Sequence, residues 1–119
     1  MEVYNNISYE ERIIINFIFK DLSICLKKVN LEKLIKTTSK HLLLPLLYSK
    51  LKKTKLINEL PKELVDYLKN IYKINLKRNQ ELIKELKIIS TWFNENKINF
   101  VFLKGSALIA SEVFENIGE

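Results

Sequence analysis

The residues with the clearest capacity for chemistry are Lys104, Gly105 and Ser106, which follow a short apolar run and precede a helical pattern. The run, INFVFL at 98–103, is rich in aromatic and β-branched residues and predicts a buried strand. Where a strand gives way to a helix, backbone N–H groups and the positive helix end attract anions. Gly105 would allow a left-handed turn and the close approach of a phosphate. Ser106 would supply a hydroxyl group and could cap the helix, and Lys104 would supply a positive charge. The three residues are a candidate phosphate site.

The elements that precede this segment are predicted to be helices. Ser8 followed three residues later by Glu11 is a capping box, and the apolar spacing after it predicts an amphipathic helix that reaches Val29. Further helices are predicted from the cap Asn30 to Ser39, from Pro45 to about Lys53, and from Pro61 to about Glu95.

The longest of these helices carries an apolar stripe that is interrupted by Asn75 and Asn79. Such a polar pair is satisfied internally, marks a kink, or lines a cleft. The apolar face is too wide for a two-stranded coiled coil, which favours packing inside a bundle. The predicted fold is therefore mainly α, a bundle of about four to five helices with one short C-terminal strand followed by a helix. A helical domain is expected at 1–97, and a second domain begins at 98–119.

Composition fits a globular protein, since 47% of the 119 residues are hydrophobic and 29% are charged. No apolar run approaches the roughly 20 residues needed to span a bilayer, and the N-terminus does not resemble a signal peptide, so a cytoplasmic location is expected. Cys25 is the only cysteine and is predicted to be a small core residue. His41 is the only histidine, so it is expected to cap a helix or form a hydrogen bond in the core rather than bind metal.

The stretch from His41 to Gly118 resembles a known family. The resemblance is carried by His41 with the PLLY run at 45–48, by Asn79 with the residues at 82, 85 and 86, and above all by residues 98–108. It identifies the uncharacterised bacterial nucleotidyltransferase family of the DNA polymerase beta-like superfamily. The resemblance implies an incomplete α+β fold in which Lys104, Gly105 and Ser106 contact nucleotide phosphates.

In full-length relatives the same resemblance implies an NTP substrate and Mg²⁺ ions, held by an Asp-x-Asp pair on the next strand. That pair is absent from these 119 residues, whose only aspartates are Asp21 and Asp66. Glu112 and Glu115 share a helix face and are interpreted as solvated charges. No catalytic or metal-binding residue is therefore expected here, and the chain is interpreted as an inactive N-terminal portion of a longer protein or a truncated relative.

Two other functions remain open. A small basic binding module for nucleic acid or a protein partner is one, because the net charge is +6 and the first half is rich in lysine. Its candidate contacts are Lys27, Lys28, Lys33, Lys36, Lys40, Lys50, Lys52, Lys53 and Lys55. The other is a structural bundle that dimerises through the N-terminal arm or the strand. The strand Phe100 to Leu103 is expected to pair with the remainder of its own polypeptide or with another copy, because its edges are otherwise open.

Overall fold

A computed structural model of the protein describes residues 6–105, 107 and 118. The chain divides into two compact units, residues 1–71 and residues 72–119. The division falls inside the longest helix. The domain boundary expected at 97 rests on the change in sequence pattern and stays a prediction.

The first helix, α1, runs from Tyr9 to Ile14 and starts with the predicted capping box. The backbone N–H of Glu11 donates to Ser8 Oγ at 3.1 Å, and the N–H of Ser8 donates to Glu11 Oε2 at 2.9 Å. These two bonds satisfy N–H groups that the first helical turn would otherwise leave without partners.

The prediction that this helix reaches Val29 is wrong. It continues as one π-helical turn, Ile15–Phe19, after which Asp21 takes a left-handed conformation with φ of 54°. The N–H of Leu22 donates back to Asn16 O at 2.9 Å, which closes a wide terminal turn. The chain therefore leaves the helical path, and Cys25 is exposed rather than part of the core.

Two further helices were predicted nearly to the residue. The second, α2, spans Leu31–Lys40, and Asn30 caps it by accepting the N–H of Lys33 at 3.1 Å. The third, α3, spans Leu44–Lys53 and carries Pro45 in its first turn. Short 3₁₀ turns, Leu26–Lys28 and Leu56–Glu59, lie before α2 and after α3.

The core of the first unit forms where α1, its π-helical turn, α2 and α3 pack together. The single buried polar residue among those described is Thr38, whose hydroxyl donates to Leu34 O at 2.7 Å and so remains satisfied. The buried apolar side chains are Ile13, Ile14, Phe17, Ile18, Leu26, Leu34, Leu44, Leu47, Tyr48, Leu51, Leu60 and Leu68.

The fourth helix, α4, runs from Lys62 to Glu95, as predicted. It ends in a Schellman motif, in which the N–H of Ile98 donates to Phe93 O at 2.8 Å and the N–H of Lys97 donates to Asn94 O at 3.1 Å. Lys97 takes the left-handed conformation that this motif requires, with φ of 56°.

The polar interruption of the α4 stripe is satisfied internally at Asn75, one of the three predicted outcomes. Its side-chain Nδ2 donates to Gly118 O at 2.9 Å, and Arg78 Nη2 donates to Asn75 Oδ1 at 2.9 Å. Gly118 is buried at this contact. Asn75 therefore ties residue 118 to the helix within the second unit.

The strand predicted at 98–103 is not formed, and the described residues contain no strand. Exposure nevertheless alternates along residues 100–103, since Phe100 and Phe102 are half-buried whereas Val101 is 80% and Leu103 71% exposed. A β-ladder needs a neighbouring strand for its hydrogen bonds, and the described part of the chain offers none. The mainly α fold is confirmed, and a helical bundle is consistent with it.

The chain is helical again at Gly105 and Ala107, directly after Lys104, whose φ is positive. Ser106, and the remainder of the helix predicted to follow it, lie outside the described residues, as do Glu112 and Glu115. No helix in the described residues is long and apolar enough to cross a membrane.

Candidate functional site

The candidate phosphate site is exposed at the two of its residues that the structure describes, Lys104 and Gly105. Lys104, rather than Gly105, takes the left-handed conformation, with φ of 53°. The left-handed conformation that Gly105 would allow is therefore not used there and occurs one residue earlier. A Cβ atom added to Gly105 would have no neighbour within 4 Å, so this backbone is open to an approaching ligand.

An aromatic cluster holds the segment before this site against the end of α4. The ring centroids of Phe93 and Phe100 lie 5.2 Å apart, and those of Phe100 and Phe102 lie 5.5 Å apart. Both separations are typical of favourable ring packing. Through Phe100 the cluster attaches the segment that leads to Lys104 to the last turn of α4.

The described residues do not provide a magnesium site. They contain no group of three or more histidine, cysteine or acidic side chains that could hold a metal ion. Asp21 pairs with Lys50, and Asp66 is exposed on the first half of α4, so neither joins a carboxylate cluster. A divalent ion needs several oxygen ligands at one place, and these residues do not fit it.

An acidic residue and a histidine that sequence analysis did not connect form a pair in the first unit. His41 Nε2 lies 3.1 Å from Glu11 Oε1, while Glu11 Oε2 accepts the N–H of Ser8. The expectation that His41 caps a helix is confirmed, because it is the C-cap residue of α2. Its hydrogen bond to Glu11 is exposed and does not lie in the core, where the other alternative placed it. Its partner lies 30 residues away in the sequence, and no local pattern in the sequence could have identified it.

The pKa of Glu11 is lowered from its ordinary value of 4.5, first by the backbone hydrogen bond from Ser8 and then by the hydrogen bond with His41. A carboxyl group with a lowered folded-state pKa stabilises the fold above its unfolded pKa, and this contribution is lost as the pH falls through the folded pKa. We therefore expect Glu11→Gln to be less stable than the parent chain at pH 7, and the difference to disappear as the pH falls below 4.5. Urea unfolding at neutral and acidic pH measures this difference.

The matched control for that experiment is Glu10→Gln, which removes a charge from the same helical turn. Among the described residues Glu10 lacks the hydrogen bonds that Glu11 makes, so the change should leave the unfolding free energy nearly constant across the same pH range. An equal effect of the two substitutions would show that charge near the helix N-terminus, rather than the Ser8 and His41 contacts, provides the stabilisation.

The lysines of the basic-module hypothesis are not equivalent in the structure. Lys50 is half-buried and donates to the carboxylate of Asp21. The other eight members of the set, including Lys27, Lys36 and Lys52, are exposed. Lysines on any protein surface are exposed to solvent, so exposure does not distinguish a binding site, and nucleic-acid binding stays a prediction. Lys50 is the least accessible of the candidate contacts.

A family model described as an uncharacterised nucleotidyltransferase matches residues 27–119 of the chain. The matched range includes His41, α2 to α4 and Lys104 to Ser106, whereas Glu11 and α1 precede it. No curated protein and no solved structure matches the chain.

Proposed function

Because the chain belongs to the uncharacterised nucleotidyltransferase family, we propose that it is the N-terminal portion of a nucleotidyltransferase-like protein of the bacterial cytoplasm. In this proposal Lys104, Gly105 and Ser106 contact the phosphates of a nucleoside triphosphate. The family match that extends through these three residues carries the proposal. The exposure of Lys104 and Gly105 at the start of a helix supports it, because helix N-termini bind anions.

The proposed role of this chain is binding rather than catalysis. Nucleotidyl transfer in the superfamily depends on carboxylate-held Mg²⁺, which neutralises charge on the reacting phosphates. Neither an Asp-x-Asp pair in the sequence nor a metal-binding cluster in the described residues supplies such a site. The 119 residues alone are therefore proposed to be inactive, and Lys104 with the open backbone at Gly105 would hold the phosphates.

The test is a titration of the full chain with ATP, followed through the backbone amide resonances of the protein. We expect ATP to shift the signals of Lys104, Gly105 and Ala107. Lys104→Ala should weaken binding by about three- to tenfold, because it removes one exposed charge-assisted contact. Incubation with Mg²⁺ and radiolabelled NTP should give no nucleotidyl transfer by this chain.

Lys97→Ala is a closely matched control for that titration. Lys97 and Lys104 are both exposed, both left-handed, and lie at opposite ends of residues 98–103. The two substitutions therefore remove the same charge from the same kind of backbone. If both substitutions weakened ATP binding equally, the binding would result from the general attraction of a basic chain for an anion. That result would contradict a phosphate site at Lys104.

The basic-module alternative predicts a different ligand preference. A chain that binds nucleic acid through the exposed lysines of the first unit should bind duplex DNA or RNA with a steep salt dependence, and Lys104→Ala should not affect that binding. This result, together with the absence of an ATP response at Gly105, would favour the alternative over the proposed function.

A further inference from the structure

A cavity of about 550 Å³ in the first unit lies beside the Glu11–His41 pair. Its size falls within the range of pockets that hold small molecules. Much of its wall is apolar and includes Ile14, Ile15 and Leu43, while Asn6, Glu11 and His41 contribute polar groups. An apolar hollow that is open to solvent and has a few polar groups at one place is a common form of a small-ligand site.

The hydrogen-bonding capacity that remains at the pair is that of an acceptor. An ionised carboxylate accepts hydrogen bonds and cannot donate them, so His41 Nε2 carries the proton in the 3.1 Å contact with Glu11 Oε1. In the neutral imidazole Nδ1 is then an acceptor. Each oxygen of Glu11 accepts one bond, from Ser8 or from His41, and has a second lone pair. A ligand that complements these groups must donate hydrogen bonds.

The charge of the residues that line the cavity determines whether a cationic or an anionic ligand is favoured. Among the described residues that line the cavity, Glu11 and His41 are the only titratable ones. The pKa of Glu11 is lowered by its bonds to Ser8 and His41, so it is ionised at neutral pH. The carboxylate of Glu11 therefore places a negative charge beside the apolar walls. A cationic ligand is favoured, and an anion such as a nucleotide phosphate is disfavoured.

We propose that this cavity binds a small molecule with an apolar body and a protonated amine, with the amine donating to Glu11. This site is separate from the proposed nucleotide function, because it is formed by the first unit and selects the opposite charge.

The experiment uses the full chain and three probes that share one apolar body, namely cyclohexylmethylamine, cyclohexylmethanol and cyclohexanecarboxylate. Backbone amide resonances report where each probe binds. We expect the amine to shift the signals of residues 6–19 and 41–43, the alcohol to bind about tenfold more weakly, and the carboxylate to leave these signals unchanged. Equal binding of the amine and the alcohol, or of the amine and the carboxylate, would overturn the proposal.

Substitutions in the cavity provide the second part of the test. Glu11→Gln keeps a side chain that can complete the capping box but removes the charge, and should weaken amine binding by about tenfold. Glu10→Gln removes a charge from the same turn and should leave binding unchanged. Ile15→Phe adds volume to the wall while retaining Glu11, and should abolish binding by filling the cavity. Unchanged amine binding by Glu11→Gln, or by Ile15→Phe if the first variant does not fold, would place the amine elsewhere and overturn the proposal.

Discussion

Truncation of Leu47 to alanine should lower the free energy of unfolding by about 2–5 kcal/mol. Leu47 lies on α3 and is 1% exposed, in a core that also contains the fully buried side chains of Phe17, Leu34 and Leu51. Removal of a buried leucine side chain loses the free energy gained by transferring that side chain from water to the core. It also leaves a cavity that the packed neighbours only partly fill. Urea unfolding followed by far-UV circular dichroism measures the loss.

Leu42→Ala is the control for this substitution. Leu42 is 87% exposed and lies just before α3, so the same chemical change there removes little buried surface. It should alter the unfolding free energy by no more than about 0.5 kcal/mol. Similar effects at Leu42 and Leu47 would mean that α3 is not part of the core, contrary to the packing described above.

The parts of the fold that could be predicted from sequence are those that local chemistry determines. A serine or asparagine cap makes its hydrogen bonds within three residues, so the starts of α1 and α2 could be found at Ser8 and Asn30. Pro45 in the first turn of α3 and the stripe along α4 are equally local signals.

The parts that were missed depend on contacts between distant residues. The apolar spacing between Leu22 and Val29 continues the helical period, yet the chain turns at Asp21, whose carboxylate pairs with Lys50 29 residues away. The apolar run at 98–103 has strand composition, but strand pairing needs a partner that composition does not supply. In both segments the local pattern favours an element that the structure does not form, because the tertiary neighbours that such an element needs are not contained in the pattern.

The candidate sites also include one that local sequence reveals and one that depends on contacts between distant residues. Lys104 and Gly105 could be identified because a glycine after an apolar run is a local feature, although the left-handed residue proved to be Lys104. Glu11 was recognised only as part of a capping box. Its pairing with His41 joins α1 to the residue that follows α2, and it depends on how the two helices pack. A cavity bounded by both segments was for that reason beyond sequence analysis.

The two glycines of the chain should respond in opposite directions to replacement by alanine. A Cβ atom on Gly118 would lie 2.5 Å from Tyr72 Cζ and 2.8 Å from Tyr72 Oη, closer than van der Waals contact allows. The ring must then move, or the segment that carries Gly118 must shift away from Asn75, which donates to the Gly118 carbonyl. We expect Gly118→Ala to destabilise the second unit by about 1–3 kcal/mol, the usual cost of overpacking.

Gly105→Ala should instead be neutral or stabilising by up to about 1 kcal/mol. The space around Gly105 is open, it is not left-handed, and alanine is favoured over glycine in a helix. Urea unfolding followed by the fluorescence of Trp92, the only tryptophan and a residue of the second unit, measures both effects. If the clash with the Tyr72 ring is the cause, the double variant Gly118→Ala with Tyr72→Ala should be more stable than the sum of the two single effects predicts. Strict additivity would mean that Gly118 does not pack on Tyr72 in solution.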